Sequence, residues 1–331
     1  MKIAIVKLSA LGDIIHTMIV LQYIKKYNPA IEIDWIVEEK YIELLESNRD
    51  INEVFTINLK RTKQKKSFFL LVRELIKVCK FGPYDIVIDM QGLIKSSIIS
   101  RLIPSKLTLG FDKFSAREKL ASIFYNKTFQ VDYDKNVIER NFELMKFALD
   151  LPVQFEEVED KLPFLYSNYK YSITSLSSTK KNIVLIPGAS FAAKMYPVKS
   201  YKNLINSLDA NYFIVWGSEN EKLLAEKIKN LTPHVNICEK LSIESLIFLV
   251  SQSDLVIGSD TGPTHMAWAL NIPSITLFGA TPGYRNSYVS KINRVIESNS
   301  KVNPFKINKN DMSISEIKVE EIVQASRDLL S

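Results

Sequence analysis

Leu255-Val256-Ile257-Gly258-Ser259-Asp260-Thr261-Gly262-Pro263-Thr264-His265-Met266-Ala267 reads as a buried strand, a Ser-Asp-Thr-Gly turn and the opening of a helix. Its first three positions are all branched apolar residues with no polar alternation, the pattern of a strand covered on both faces. Pro263 falls near the first helical position, where a missing N–H costs nothing. A strand that feeds a helix through a tight Gly turn is half of a βαβ unit. Backbone N–H groups at Thr261 and Gly262, with the helix dipole behind them, form an anion site suited to a diphosphate. His265 falls in the first helical turn, toward such an anion. The plainer alternative is a capped helix with a buried histidine.

Outward from that stretch the same alternation continues in both directions. Strands are expected at 182–186, 212–216, 236–238, 255–257 and 274–278 in the second half. In the first half they are expected at 2–8, 31–37, 54–57, 84–90 and 107–111, with amphipathic stretches such as 13–27 and 67–80 between them. Continuous apolar strands spaced by helices indicate parallel sheets covered on both faces. Gly12 and Gly92 follow first-half strands, and Gly188, Gly217, Gly258 and Gly279 follow second-half ones. Open α/β sheets bind ligands at the carboxyl ends of their strands, and glycine there lets backbone approach the ligand. The expected architecture is α/β, two Rossmann-like doubly wound parallel-sheet domains facing a cleft, spanning 1–165 and 166–331. Residues 149–181, rich in Pro, Ser and charge, read as the connection, and the helical pattern at 313–330 can pack across either domain.

The counts agree with two soluble domains and exclude several other classes. The chain has 331 residues, 46% hydrophobic and 24% charged, enough for two cores. Lys+Arg 43 against Asp+Glu 37 leaves +6, which favours anionic partners in general. Cys79 and Cys238, far apart in sequence, rule out a disulfide framework and fit a reducing compartment. No apolar run approaches the ~20 residues of a membrane span, and Lys7 and Asp13 interrupt anything resembling a signal peptide. A cytoplasmic location is expected. P-loop, G-x-G-x-x-G, G-x-S-x-G and clustered metal-ligand patterns are absent.

Four further segments carry chemistry. Val6-Lys7-Leu8-Ser9-Ala10-Leu11-Gly12-Asp13-Ile14-Ile15-His16-Thr17 runs from strand to Gly-containing loop, with a helix starting near Asp13. Asp13 is either the helix N-cap or, with Gly12 beside it and His16 one turn on, a carboxylate facing the cleft. Pro187-Gly188-Ala189-Ser190-Phe191-Ala192-Ala193-Lys194 follows the next domain's first strand, offering the Ser190 hydroxyl and the Lys194 charge to a phosphate. Trp216-Gly217-Ser218-Glu219-Asn220-Glu221 places two carboxylates where one can accept from ribose hydroxyls, and spacing does not separate Glu219 from Glu221. Lys60-Arg61-Thr62-Lys63-Gln64-Lys65-Lys66 is a basic run: a solvated face, a contact for an anionic membrane-embedded acceptor, or, least, nucleic acid. Against these stands Asp132-Tyr133-Asp134, a D-x-D at a strand end that suits a metal-dependent, single-domain glycosyltransferase.

With these motifs in place the chain resembles the ADP-heptose transferases, the lipopolysaccharide inner-core heptosyltransferases of glycosyltransferase family 9. The likeness runs over almost the whole chain. It rests on the 7–17 segment, Trp35-Ile36-Val37-Glu38-Glu39, Asp89-Met90-Gln91-Gly92-Leu93-Ile94-Lys95-Ser96, Ala116-Arg117-Glu118-Lys119-Leu120-Ala121-Ser122-Ile123-Phe124-Tyr125-Asn126, Trp216-Gly217, and Asp260-Thr261-Gly262 with His265. The first-half segments, residues 117–126 above all, resemble the branch that acts on Kdo.

The resemblance implies a GT-B fold with the acceptor on the N-terminal domain and ADP-heptose on the C-terminal one. It implies inverting transfer of L-glycero-D-manno-heptose from ADP-L-glycero-β-D-manno-heptose to Kdo of Kdo2-lipid A. No cofactor or metal is implied, ADP-heptose being a substrate. By motif position Asp13 would be the general base. Ser190, Lys194, Glu221, Leu241, Asp260, Thr261, Gly262 and His265 would hold the donor, and Lys60, Arg61 and Arg117 the acceptor. The implied state is a monomer without nucleic acid, peripheral on the cytoplasmic face of the inner membrane of a Gram-negative cell. Rival readings are a heptosyltransferase II acting on an already heptosylated core, and a non-catalytic nucleotide-binding or nucleic-acid-binding protein. Two positions depart from the family: Ala189 stands where relatives often carry a hydroxyl, and Tyr196 replaces the usual Trp before Pro197.

Overall fold

A computed structural model describes residues 1–168 and 175–331. The chain divides into two compact units, Met1–Phe164 and Leu165–Ser331.

The first unit runs β1 (Lys2–Val6), α1 (Leu11–Tyr27), β2 (Glu32–Glu38), β3 (Glu53–Ile57), α2 (Leu59–Gln64), α3 (Phe68–Val78), β4 (Tyr84–Asp89), α4 (Ile94–Leu102), β5 (Ser105–Phe111), β6 (Lys127–Phe129) and α5 (Val137–Leu149). All its strands are parallel, in the order β3-β2-β1-β4-β5-β6. The second unit runs β7 (Asn182–Ile186), α6 (Val198–Ser207), β8 (Asn211–Ile214), α7 (Glu219–Leu231), β9 (Asn236–Ile237), α8 (Ile243–Ser251), β10 (Leu255–Ser259), α9 (Gly262–Ala269), β11 (Ser274–Phe278), α10 (Gly283–Asn286), β12 (Asn293–Glu297) and α11 (Val319–Leu330). Its order, β12-β11-β10-β7-β8-β9, is the first sheet's arrangement repeated.

In both sheets the order reverses direction beside the unit's first strand. The crossover from β3 to β4 passes back over β1, and that from β9 to β10 passes back over β7. Loops leaving the two strands at such a switch point diverge to opposite faces and open a crevice at their carboxyl ends. The crevices therefore lie after β1 and β4 in one unit and after β7 and β10 in the other.

The strands form because their apolar, β-branched side chains are buried on both faces. Every residue of β7, β10 and β11 is buried, as are four of the five in β1. α1 is not one-sided over its middle turns: its residues from Ile14 to Leu21, His16 and Thr17 among them, are all buried. It packs on α5, where Asn141 Nδ2 donates to Thr17 Oγ1 at 3.0 Å and Tyr23 meets Phe142 edge-on at 5.2 Å.

Several expectations are corrected. Residues 149–181 are not one linker: as far as Phe164 they belong to the first unit, and 169–174 lie outside the described residues. The acidic Phe155–Asp160 forms a 3-10 turn held to α1 by Glu157, whose carboxylate accepts from Lys26 Nζ and Tyr27 Oη, each at 2.5 Å. Those two partners hold the Glu157 pKa at about 2. The pattern at 313–330 breaks into a 3-10 turn, Ser313–Glu316, and α11, which packs on α6, β10 and β11 of its own unit. Gly258 lies inside β10, where a Cβ would meet Ile186 Cβ at 2.7 Å. β12 was not anticipated.

Candidate active site

In the first unit the loop after β1 is only four residues long. The helix begins at Leu11, so Gly12 is helical and Asp13 is the third helical residue rather than the N-cap. Asp13 Oδ2 reaches back to accept the Ala10 N–H at 3.0 Å. This satisfies one orphan donor and places a negative charge where the helix dipole favours it. Asp13 is exposed while its neighbours Ile14, Ile15 and His16 are buried, so the carboxylate is presented to solvent and His16 is not.

The loop that leads into the Asp13 helix is clamped from just beyond β4. Gln91 Oε1 accepts the Leu8 N–H at 2.7 Å and the Ser9 N–H at 3.3 Å. Gln91 Nε2 donates to the Ser9 carbonyl at 2.8 Å and to Ser9 Oγ at 3.2 Å. Gln91 is itself set by Asp89, which is fully buried and accepts from the N–H groups of Gln91 and Gly92 and from Tyr125 Oη at 2.8 to 3.3 Å. Burial pushes the Asp89 pKa up, against these hydrogen bonds. Gly92 turns the chain there at φ +68°, a region other residues avoid. Lys7 Nζ donates to the Met90 carbonyl at 2.7 Å, closing the link between β1 and β4. Glu38, at the end of β2, is a further buried carboxylate, its pKa raised by burial against the pull of Lys95.

Lys60 and Arg61 lie on α2, after β3, and Arg117 lies in the loop after β5; all three are exposed. All sit beyond carboxyl ends of the sheet whose central crevice carries Asp13.

In the second unit four loops converge on one sheet edge. Asp260, beyond β10, is buried and gathers four partners. Lys194 Nζ lies 2.7 Å from Oδ2, His265 Nε2 3.1 Å from Oδ1, Thr281 Oγ1 donates to Oδ2 at 2.9 Å, and Asn286 Nδ2 donates to Oδ2 at 3.4 Å. Burial alone would raise the Asp260 pKa; the Lys194 ammonium and His265 outweigh it and hold the carboxyl well below the usual range. Thr261 is the N-cap of α9 and Gly262 its first residue, with Pro263 second. The first-turn N–H groups, the Lys194 ammonium and His265 thus share one crevice.

Lys194 closes a 3-10 turn, Ala192–Lys194, after β7, and Ser190 is exposed just before it. Beyond β8, Glu221 and not Glu219 turns inward. Its Oε2 accepts the Gly217 and Ser218 N–H groups at 2.7 and 2.9 Å, and its chain lies over Gly188, where a Cβ would come within 2.5 Å of it. Leu241, half-buried, follows β9 on the next loop. The proposed donor residues therefore follow β10, β7, β8 and β9, consecutive strands of the sheet. Tyr196 is buried, and its hydroxyl donates to the Ile317 carbonyl at 2.8 Å, so this departure is a core anchor ahead of α11.

Asp132 and Asp134 are exposed beyond β6. Among the described residues no group of three or more His, Cys, Asp or Glu side chains is arranged to hold a metal ion. No helix among them is long and apolar enough to cross a membrane.

Sequence reasoning missed Gln91, Asp89, Glu38, Thr281 and Asn286. The Asp89-x-Gln91-Gly92 run after a strand is a signal for an Asx turn, which finds Asp89. Nothing local announces that Gln91 holds a loop 82 residues away.

Two Rossmann-type units, each with a polar constellation at its switch point, are the architecture of nucleotide-sugar glycosyltransferases of the GT-B class. The model of glycosyltransferase family 9 (heptosyltransferase) matches residues 72–312, and the chain belongs to that family. It is 38% identical to lipopolysaccharide heptosyltransferase 1 of Campylobacter coli over 99% of both chains. It is 29% identical to the Pseudomonas aeruginosa protein of the same name, over 87% of this chain and 81% of that one. The Escherichia coli heptosyltransferase WaaC, solved with ADP, shares the fold: TM-score 0.81 at 24% identity, covering 99% of this chain and 100% of that one. The protein is therefore an enzyme, and the non-catalytic reading is set aside.

Proposed function

We propose that the enzyme transfers L-glycero-D-manno-heptose from ADP-L-glycero-β-D-manno-heptose to a Kdo residue of Kdo2-lipid A, with inversion, at the cytoplasmic face of the inner membrane. The observation that carries the donor half is the Lys194–Asp260–His265 cluster at the start of α9, a preformed cradle for a diphosphate. The full-length likeness to lipopolysaccharide heptosyltransferase 1 supports the sugar and the acceptor.

In this reading Asp13 takes the proton of the acceptor hydroxyl as its oxygen attacks the anomeric carbon. The bond to ADP breaks on the opposite face. Lys194, His265, the Ser190 hydroxyl and the Thr261–Gly262 helix start receive the charge that develops on the leaving diphosphate. Asp260 acts through Lys194 and His265, holding both in place. Glu221 accepts from the ribose, and Leu241 packs on the adenine. Lys60, Arg61 and Arg117 pair with acceptor carboxylate and phosphate groups.

The acceptor is tested by competition. Offered Kdo2-lipid A and a core already carrying one heptose, the enzyme should extend the first; exclusive use of the second would reassign it to the second heptose step.

Two further results are expected. Lys194 and α9 supply the countercharge that a divalent ion supplies in metal-dependent transferases. Activity should therefore survive EDTA, and Asp132→Ala and Asp134→Ala should stay near wild type; complete inhibition reversed by Mg²⁺ would contradict this. Gln91→Ala removes three hydrogen bonds from the Leu8–Ser9 backbone and one from the Ser9 hydroxyl. Turnover should fall by about 10²-fold, the scale of an ångström-sized misplacement, with ADP affinity unchanged. Equal losses in ADP affinity and turnover would point to general unfolding instead.

A further inference from the structure

Between β12 and the 3-10 turn Ser313–Glu316 the chain runs out in a loop closed at its base. Ser298 Oγ donates to Ser313 Oγ at 2.8 Å, Ser300 Oγ donates to Asp311 Oδ2 at 2.5 Å, and Asp311 Oδ1 accepts the Ser313 N–H at 3.0 Å. A surface loop of up to about 16 residues with joined ends is an Ω-loop, a form that often carries function. Its base is fixed to the segment that bears Lys194. The 3-10 turns Ala192–Lys194 and Ser313–Glu316 pack on each other. Ile314 sits so close over Gly279 that a Cβ there would meet Ile314 Cβ at 2.6 Å.

The loop is basic. It carries Lys301, Lys306 and Lys309 against the single carboxylate of Asp311, which is occupied at the base. None of the three lysines makes an ion pair among the described residues. Asn308 Oδ1 accepts the Asn310 N–H at 3.0 Å, an Asx turn that sets Lys309 at its tip. Lys309 Nζ lies 5.8 Å from the centre of the Phe191 ring, and Lys194 Nζ lies 5.7 Å from the same centre. Each cation is drawn to the ring, but the two repel one another. An anion shared between them relieves that repulsion.

We infer that Lys309 is a further donor-binding residue, a second cation that meets the diphosphate beside Lys194. The inference rests on the donor site proposed above. Lys194 alone leaves the match incomplete, because its ammonium lies 2.7 Å from the Asp260 carboxylate, which takes up much of its charge. The start of α9 adds about half an elementary charge. A nucleoside-diphosphate sugar is already anionic, and its leaving group departs with one more negative charge. Lys309 has no carboxylate to satisfy first, so its whole charge is available to the phosphates. Phe191, between Ser190 and the Lys194 turn, is the platform that brings the loop's cation to that point.

The test is calorimetric binding of ADP and of adenosine to the full chain, without acceptor. Lys309→Ala should weaken ADP binding about 10-fold, the scale of one charge-assisted hydrogen bond. Lys309→Glu should weaken it further, and Lys309→Arg should stay close to wild type. The gap between wild type and Lys309→Ala should narrow as salt rises. Adenosine, which has no phosphate, should bind all of these proteins alike. Lys301→Ala, which removes the same charge elsewhere on the loop, should bind ADP like wild type. Unchanged ADP affinity in Lys309→Ala and Lys309→Glu, an equal loss for adenosine and ADP, or a loss confined to the acceptor's KM would overturn the inference. Weakened ADP binding in the variants of a protein that transfers no heptose would sink the proposed function and leave Lys309 at the diphosphate. Heptose transfer with ADP affinity indifferent to residue 309 would do the reverse.

Discussion

Asp13→Asn should lower turnover by about 10²–10⁴-fold, the usual scale for losing a general base, with ADP affinity unchanged. The substitution is close to a pure test of the proton-accepting role. Asparagine Oδ1 can keep the hydrogen bond from the Ala10 N–H, and the Gln91 clamp on Leu8 and Ser9 does not touch residue 13. The lost charge at the first turn of α1 should cost at most about 1 kcal/mol of stability. Turnover within a few-fold of wild type would remove Asp13 from the chemistry. Glu38, buried at the end of β2 with its pKa raised, would then be the carboxylate to examine.

The second large effect is on stability. Asp260→Ala should cost about 3–5 kcal/mol in unfolding free energy, because it leaves the mostly buried Lys194 ammonium without its counterion. Saturating ADP should restore part of that loss, since its diphosphate returns negative charge to the same crevice. Asp260 has a depressed folded-state pKa, so its stabilisation is in place above the unfolded carboxylate value, near 3.9, and fades only as pH falls below it. The gap between wild type and variant should therefore be flat from pH 6 to 8 and narrow only in acid. A variant of undiminished stability would show that the cluster does not hold the second unit's crevice together. Lys194→Ala should behave differently. Asp260 keeps His265, Thr281 and Asn286, so the fold persists while ADP binding weakens.

How far these sites are legible in the sequence depends on how local their causes are. β7 and β11 stand where the apolar runs place them, residue for residue, because each is buried at every position, Asn182, Ser274 and Thr276 included, and carries no exposed face. β12 hides because it is an edge strand, Asn-Arg-Val-Ile-Glu, whose apolar run is only two residues long. The start of α1 is misread because Ala10 offers no side-chain cap and Gly12 resembles a loop; the carboxylate that satisfies the helix start comes from inside it. The acidic stretch at 155–160 resembles a linker by composition, yet Glu157 docks it on Lys26 and Tyr27, partners 130 residues distant. Lys194, Glu221 and Asp260 could be placed beyond carboxyl strand ends because the apolar runs before them locate those ends. The Gln91 clamp and the Thr281 and Asn286 contacts to Asp260 are set by chain crossings that no local pattern encodes.

The proposed reaction moves one heptose from its ADP donor to Kdo with inversion. The most direct measurement is a single-turnover reaction of the wild-type protein with ADP-L-glycero-β-D-manno-heptose and Kdo2-lipid A, without added metal, with the product read by mass spectrometry and its new anomeric centre by NMR. The expected outcome is one heptose added on Kdo, one ADP released per product, and an α linkage formed from the β donor. Unchanged acceptor, heptose attached elsewhere than on Kdo, or a retained β linkage would contradict it.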